Sequence, residues 1–327
     1  MAKHNGRQRT FWVFTALGTA IFGGLLWASM NLWNDSPEAS LLTARDGWYG
    51  TYMKAESVPT QLKTHEVLPG ERFLLSRAST PGTTPCQSEP SASQESASSQ
   101  MPPATELARI REQGGIIALS SGAPGPELDE LATRCEDTKL LENTYRELLG
   151  EYDSTVLDLY LDGADLGDPL VSERRVNAVS SLQVQAIAAN EPIEVWLSLP
   201  VDGTELAPDA VEEVRRVLDG GAVDLAGVNL LLSDVGSEQD PTIHVDNAIL
   251  AIKNAHRQLK EIYELPAQDV SRETMSNDSI WMRIGITPMI DQGAQAGESL
   301  TSEDAEKLKR FALEMGLRRF SVLNLNP

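Results

Sequence analysis

Short β-rich runs alternate with longer amphipathic ones from Trp48 to the end of the chain, and this alternation restricts the available folds more than any other feature. The candidate strands are GWYGTYMK (47–54), RFLLSR (72–77), GGIIALSSG (114–122), TVLDLYLDG (155–163), IEVWLSLPV (193–201), AGVNLLLSDV (226–235), WMRIGITPMI (281–290) and RFSVLNL (319–325). Several are almost continuously apolar, as parallel strands are when both faces are covered. Between them lie helical patterns over 126–149, 172–188, 207–219, 244–265 and 301–316. Ser172 before Glu173, Pro208 in a first turn, and TSED with Gly316 downstream are start and stop signals for such helices. Eight strands in this arrangement predict a closed (β/α)8 TIM barrel over residues 47–327 in preference to an open doubly wound sheet. Residues 55–70 contain Pro59 and Pro69 and carry little helical period. Residues 79–104, rich in Ser, Pro and Thr, stand outside the alternation and read as a long exposed insertion.

Upstream of the barrel, FWVFTALGTAIFGGLLWASMNLW (11–33) has no charge and is long enough to cross a bilayer core as a helix. Lys3, Arg7 and Arg9 precede it and Asp35 and Glu38 follow. The positive-inside rule therefore assigns residues 1–10 to a cytoplasmic tail and 11–33 to a single transmembrane signal anchor. Residues 34–46 then form a linker to an extracytoplasmic barrel, on a single-pass protein of the cell membrane. A cleaved signal peptide is the alternative, although the apolar region exceeds the usual ~7–15 residues and no clear A-x-A site follows. Either reading exports the barrel. In an oxidising compartment Cys86 and Cys135 read as one disulfide; the alternative is two unpaired thiols, with Cys135 filling the apolar side of a helix beside Leu128 and Leu131.

Charge excludes some partners. The chain has 27 Lys and Arg against 48 Asp and Glu, a net charge of −21. Removing Lys3, Arg7 and Arg9 leaves 24 basic residues for all the acids. That balance argues against nucleic acid and against lying flat on an anionic membrane.

In TVLDLYLDG, strand alternation puts Asp158, Tyr160 and Asp162 on one face and Leu157, Leu159 and Leu161 on the other. A calcium loop fails there, because Tyr160 and Pro169 occupy ligand positions and the run is strand-like. The four histidines have no zinc-ligand spacing with cysteine, so no metal or cofactor is expected. In a (β/α)8 barrel functional groups sit at the carboxyl ends of strands. Ser120, Ser121, Asp162, Asp234 and Asn324 fall there; the competing explanation is that strand ends are polar because they meet solvent.

From about Glu106 onward the chain resembles the bacterial branch of glycoside hydrolase family 18, chitinase-like barrels often found in actinobacterial secreted proteins. The resemblance runs through GGIIALSSGAPG, ELATRCEDTKLLENTYRELL, YDSTVLDLYLDGADL, LSLPVDGTEL, AGVNLLLSDVG, DNAILAIKNAHRQL, IGITPMI and LTSEDAEKLKRFALEMGLRRFSVLNLN, with fainter matches at TTPC and GWYGTYMK. It implies that the fourth strand should end in Asp-x-Asp-x-Glu, where the Glu protonates the glycosidic oxygen and the neighbouring Asp orients the substrate's N-acetyl group. The corresponding positions are Asp158, Tyr160 and Asp162. The family's sixth strand ends in Met-x-Met-Asp-Tyr; this chain keeps Asp234 and has Val235 at the tyrosine. Leu323 stands where the family has a tryptophan floor, and the third-strand Gly-Gly is Ser121-Gly122.

Shortening the acid by one methylene moves it by about 1 Å, which alone costs about a hundredfold in rate. The missing orienting acid and tyrosine each remove further transition-state stabilisation. The resemblance therefore implies a chitinase-like pseudoenzyme acting as a binding or assembly module in the envelope. Its ligand-facing residues would be Tyr160, Asp162, Asp234, Asn324 and Ser121. A protein partner is expected ahead of a glycan, because the sugar-stacking tryptophan is gone. The alternative is an active glycosidase on N-acetylated glycans, with Asp162 as general acid assisted by Asp158 or Asp234.

Overall fold

The computed structural model describes residues 47–54, 57–63, 65–77, 86, 104–123, 130–219, 223–233, 243–264, 277–290 and 300–325. The expected tail, anchor and linker (1–46), most of the insertion, and Asp234 lie outside the described residues. Among the described residues no helix is long and apolar enough to cross a membrane.

Eight parallel strands close on themselves: β1 (Trp48–Lys54), β2 (Arg72–Arg77), β3 (Ile116–Ser121), β4 (Val156–Tyr160), β5 (Glu194–Asp202), β6 (Leu225–Leu232), β7 (Ile284–Ile290) and β8 (Arg319–Asn324). They pair in chain order, and β8 closes the ring on β1 with Trp48 opposite Arg319 and Tyr52 opposite Leu323. After β1 to β7 come α1 (Val58–Gln61), α2 (Ala104–Glu112), α3 (Thr138–Glu151), α4 (Pro169–Ala188), α5 (Pro208–Asp219), α6 (Ile243–Glu264) and α7 (Ser302–Met315). The expected (β/α)8 barrel is therefore the observed one. Glu205–Leu206 adds a short antiparallel arm to the end of β5.

Differences from the sequence reading have local causes. The run expected as one helix over 126–149 is split within the described residues into a turn, Leu131–Arg134, and α3. Glu130 and Asp137 each cap a new start, accepting from the backbone N–H of Ala132 and Leu140, while Cys135 between them is extended. Helix α4 begins at Pro169, a turn before Ser172, because the Asp168 carboxylate caps Leu170 N and proline suits a first turn. Trp281 ends a short helix, Asn277–Trp281, and does not open β7. Strand β4 stops at Tyr160, so Asp162 lies beyond it. Among its described residues the weak unit at 55–70 holds only the single turn α1.

Side chains divide by strand parity. Leu157, Leu159 and Leu161 join the core between strands and helices. Val156 and Tyr160 join an inner cluster with Trp48, Tyr52, Leu74, Trp196, Leu231, Met289 and Leu323. Trp196 fits because Gly227 opposite has no Cβ; one there would lie 2.7 Å from the Trp196 ring. The β5–β6 register also shifts between Val195 and Trp196.

Cys86 and Cys135 are joined, 49 residues apart in sequence, so the disulfide reading is the correct one of the two. The link pins residue 86 beside α3, where Thr144 Oγ1 donates to the Cys86 carbonyl at 3.3 Å. Closing a loop of this size stabilises a fold by roughly 4 kcal/mol in the chain-entropy model. Reduction, or Cys86→Ser with Cys135→Ser, is expected to lower the urea midpoint correspondingly, with the unfolding slope showing whether the unfolded chain has expanded.

Candidate functional site

The fourth-strand acids do not share one environment. Asp158 is fully buried on the barrel axis. Its Oδ1 accepts from Ser198 Oγ at 2.7 Å and from the Arg319 guanidinium, and its Oδ2 accepts from Ser120 Oγ at 3.0 Å. The polar layer continues through Asn229, which donates to Ser198 Oγ and Thr287 Oγ1 at 2.9 Å each, and through the 2.6 Å contact of Thr287 with Ser321. Tyr52 meets Ser120 from β1. Seven strands thus contribute to one ring of hydrogen bonds around the Arg319–Asp158 ion pair.

Below this ring the barrel is closed by aromatic rings and charge. The Arg319 guanidinium lies 4.8 Å from the Trp48 ring centroid and 5.5 Å from that of Trp196. Both indole N–H groups point to Glu194 Oε1, at 3.4 and 2.6 Å, and Arg72 reaches Oε2 at 3.3 Å. Burial pushes the Glu194 carboxyl up, but the Trp196 hydrogen bond and the Arg72 and Arg318 charges hold it net below its ordinary value.

Above the ring, the next inward residue of four strands is large. Tyr160, Leu231, Met289 and Leu323 follow Asp158, Asn229, Thr287 and Ser321 by two positions, and all are at most 5% exposed. Tyr160 packs edge-on to Tyr52 with centroids 6.0 Å apart. Burial, then Asp162 and Asp158, push the Tyr160 phenol far up, so it stays protonated. Gly122 belongs to this layer: its φ is +97°, and a Cβ there would meet the Tyr160 carbonyl at 2.4 Å. Only glycine lets the ends of β3 and β4 approach so closely.

Asp162 stands exposed beyond this plug and caps the turn Gly163–Asp165, accepting from Gly163 N at 2.8 Å. Its own N–H returns to Asp165 Oδ2 at 3.4 Å. Asp165 is buried and accepts from Glu130 N at 2.9 Å and Thr133 Oγ1 at 2.6 Å. Glu130 in turn receives Ser121 Oγ at 2.8 Å, the Tyr145 hydroxyl, and Arg175 Nε at 3.0 Å. Arg175 also binds Glu213 and the Asp165 carbonyl. Two buried carboxyls, Glu130 and Glu213, therefore share one fully buried guanidinium, which the Asp165 backbone carbonyl also engages. Desolvation, then the Glu130 charge, push Asp165 up to about 6.

The predicted site residues are thus dispersed. Asp158 and Tyr160 are interior. Ser121 faces outward into the Glu130 network, and Ser120 is the serine on the axis. Asn324 lines a groove of about 340 Å³ outside the barrel, with Tyr49, Thr51, Val322 and α7. Among the described ones, only Asp162 is at the mouth. The sequence reading missed Ser198, Asn229, Thr287 and Arg319, although the first three are lone polar residues within apolar strand runs, and it missed Glu130, Asp165 and Arg175. Among the described residues no group of three His, Cys, Asp or Glu is arranged to hold a metal ion.

Two outcomes follow. Arg319→Met leaves Asp158 buried without its cation and should cost about 3–5 kcal/mol of folding stability; adding Asp158→Asn should recover part of that loss, both read by urea unfolding. Asp165 is raised in the folded state from an ordinary 3.8 to about 6, so the folded chain binds the extra proton between these values. Its contribution therefore falls as pH rises from about 4 to 6 and levels off above, by about 3 kcal/mol at most. Asp165→Asn should flatten that segment of the stability profile and leave the chain more stable than wild type at pH 7.

No protein-family model matches the chain. Over 228 residues, 68% of the chain, it is 28% identical to the probable bifunctional chitinase/lysozyme of Escherichia coli (strain K12). That match spans 24% of the relative's length. In fold it is similar to active domain 2 of the thermostable chitinase from Pyrococcus furiosus, with a TM-score of 0.62 and 22% identity over 85% of this chain and 83% of that one. The family 18 chitinase from Crocus vernus gives a TM-score of 0.52 and 11% identity, over 85% of this chain and 92% of that one. The resemblance to glycoside hydrolase family 18 drawn from the sequence thus holds.

Proposed function

We propose that this barrel, a relative of the family-18 chitinases, is a chitinase-like pseudoenzyme that serves as a binding or assembly module. The observation that carries the reading is the state of Asp158. Both its oxygens are occupied by Arg319, Ser120 and Ser198, and a layer containing Tyr160 separates it from the mouth. A carboxylate so engaged does not orient a substrate. Substitution at the orienting acid, and Val235 and Leu323 at the family's tyrosine and tryptophan, support the same reading.

In this proposal residues 11–33 anchor the chain in the cell membrane with residues 1–10 in the cytoplasm. Residues 34–46 link the anchor to a barrel on the extracytoplasmic side. The support is the uncharged 23-residue run with Lys3, Arg7 and Arg9 before it. An envelope protein is the preferred partner and a glycan the second, since Trp48 and Trp196 are buried on the axis and offer no ring face to a sugar.

A second reading rests on Asp162, which is exposed at the carboxyl end of β4 with the weakly acidic Asp165 three residues on. There Asp162 would act as general acid on an N-acetylated glycan. Chitooligosaccharides and peptidoglycan fragments are the appropriate substrates for an assay of the full-length protein extracted from membranes. Product release no greater than that of heat-denatured protein is expected. Turnover that disappears in Asp162→Ala would replace the pseudoenzyme reading with the second one, and recovery of the chain in the soluble fraction would remove the anchor.

A further inference from the structure

The outer face of the barrel is not covered evenly. On β4, β5 and β6 the residues turned toward the helices, among them Leu157, Val195, Leu197, Val228 and Leu230, are buried. On β1 and β8 strand parity gives Tyr49, Thr51, Val322 and Asn324 the same outward direction, yet these four are only half-buried. Tyr49 pairs with Phe320 and Thr51 with Val322, so the half-open positions form one seam. Helix α1, the element after β1, is a single turn spanning only about 6 Å and is too short to lie along it. The seam holds the groove of about 340 Å³, with α7 on one side and Gln61 and His65 on the other.

A buried acid orients His65 there. Glu71, 2% exposed, accepts from Thr51 Oγ1 at 2.8 Å, from Leu68 N at 3.1 Å and from His65 Nε2 at 2.9 Å. An ionised carboxylate only accepts, so the imidazole carries its proton on Nε2. In the neutral ring Nδ1 is then a bare acceptor, and it has no partner among the described residues. Glu306, exposed on α7 and also in the lining, is likewise without a partner among the described residues. The groove therefore carries two unmet acceptors, one of them charged, beside apolar Met53, Ala305 and Val322.

The local field favours a cation. Burial, then the Glu71 and Glu306 charges, push the Tyr49 phenol in the same lining up to about 12. Lys309, three residues along α7 from Glu306, places its ammonium 4.9 Å from the Tyr49 ring centroid, with no carboxylate partner among the described residues. The chain thus already sets one ammonium against this wall.

We infer that the groove binds a small aliphatic amine with a second N–H or O–H donor: its ammonium on Glu306, the second donor on His65 Nδ1, and its carbon chain against Met53, Ala305 and Val322. The volume is that of a small-ligand site. An anion would meet Glu306 and Glu71, and an uncharged polyol would leave Glu306 without a counter-charge. The groove lies outside the barrel, so this assignment stands apart from what the mouth does.

The test is calorimetric titration of the full-length protein with putrescine, together with the Nδ1 resonance of His65 in protein carrying isotope-labelled histidine. Saturable binding that shifts this resonance is expected. Glu306→Gln should weaken binding about fivefold. Lys309→Met removes the resident ammonium and should tighten it about threefold. Glu303→Gln, at another exposed acid of α7 that does not line the groove, should leave it unchanged. Absence of saturable binding overturns the assignment, as does a His65 resonance unmoved at saturation. Equal weakening by Glu303→Gln also overturns it, marking an adventitious attraction of cations to an acidic surface. Butanediol or succinate binding as tightly as putrescine would assign the groove to polyols or to anions instead.

Discussion

Removing Arg319 and Asp158 from water costs several kcal/mol per ion, and the barrel interior is arranged around offsetting that cost. Both carboxylate oxygens are matched, and the guanidinium is matched at Nη1 and Nε. Its Nη2 has no partner, but two indole rings flank the group. The pair joins β4 to β8 across the axis, and Ser120, Ser198, Asn229, Thr287 and Ser321 hold the intervening strands to it. A strand slipped by one residue would turn its member outward and its leucines inward. The polar ring therefore specifies register for most of the barrel at once.

That constraint also explains which parts were legible in the sequence. Strands such as 284–290, buried at every position, announce themselves as apolar runs. Caps are harder to read in an acid-rich chain: Glu130, Asp137 and Asp168 start helices, yet nothing local distinguishes them from the surface acids around them. Helix α2 escaped notice because it is nine residues long and buries only Leu107 and Ile110, too little to show a period. The Arg319–Asp158 pair spans 161 residues, so local pattern has no access to it. Strand parity correctly grouped Asp158 with Tyr160, but it did not say that this face turns into a closed interior.

The two acidic networks show how burial gives like residues different chemistry. Asp158 has a cation and two hydroxyls to itself. The Asp165 carboxyl has only neutral donors, Glu130 N, Thr133 Oγ1 and Asp162 N, and burial together with the neighbouring Glu130 charge holds its proton tightly. Through the capping turn Gly163–Asp165 this second network also fixes the backbone that carries Asp162. The exposed acid at the mouth is thus positioned by buried ones that reach α4 and α5, a continuous connection from the β3 and β4 loops into the helical layer.

The likeness to chitinases and the filled axis are compatible because they reside in different atoms. IGITPMI is β7, buried throughout, and DNAILAIKNAHRQL lies within α6, whose Ala248, Ala251, Ile252, Ala255 and Leu259 are fully buried. Runs of this kind transmit a fold, since they determine how strands and helices pack. Glycosidic chemistry depends instead on a few side chains at strand ends. There the inward positions hold a phenol, two leucines and a methionine, groups that fill space and hold no titratable proton near neutral pH. A scaffold can therefore remain recognisable over most of its length, 68% of this chain, whatever the few side chains at its strand ends are.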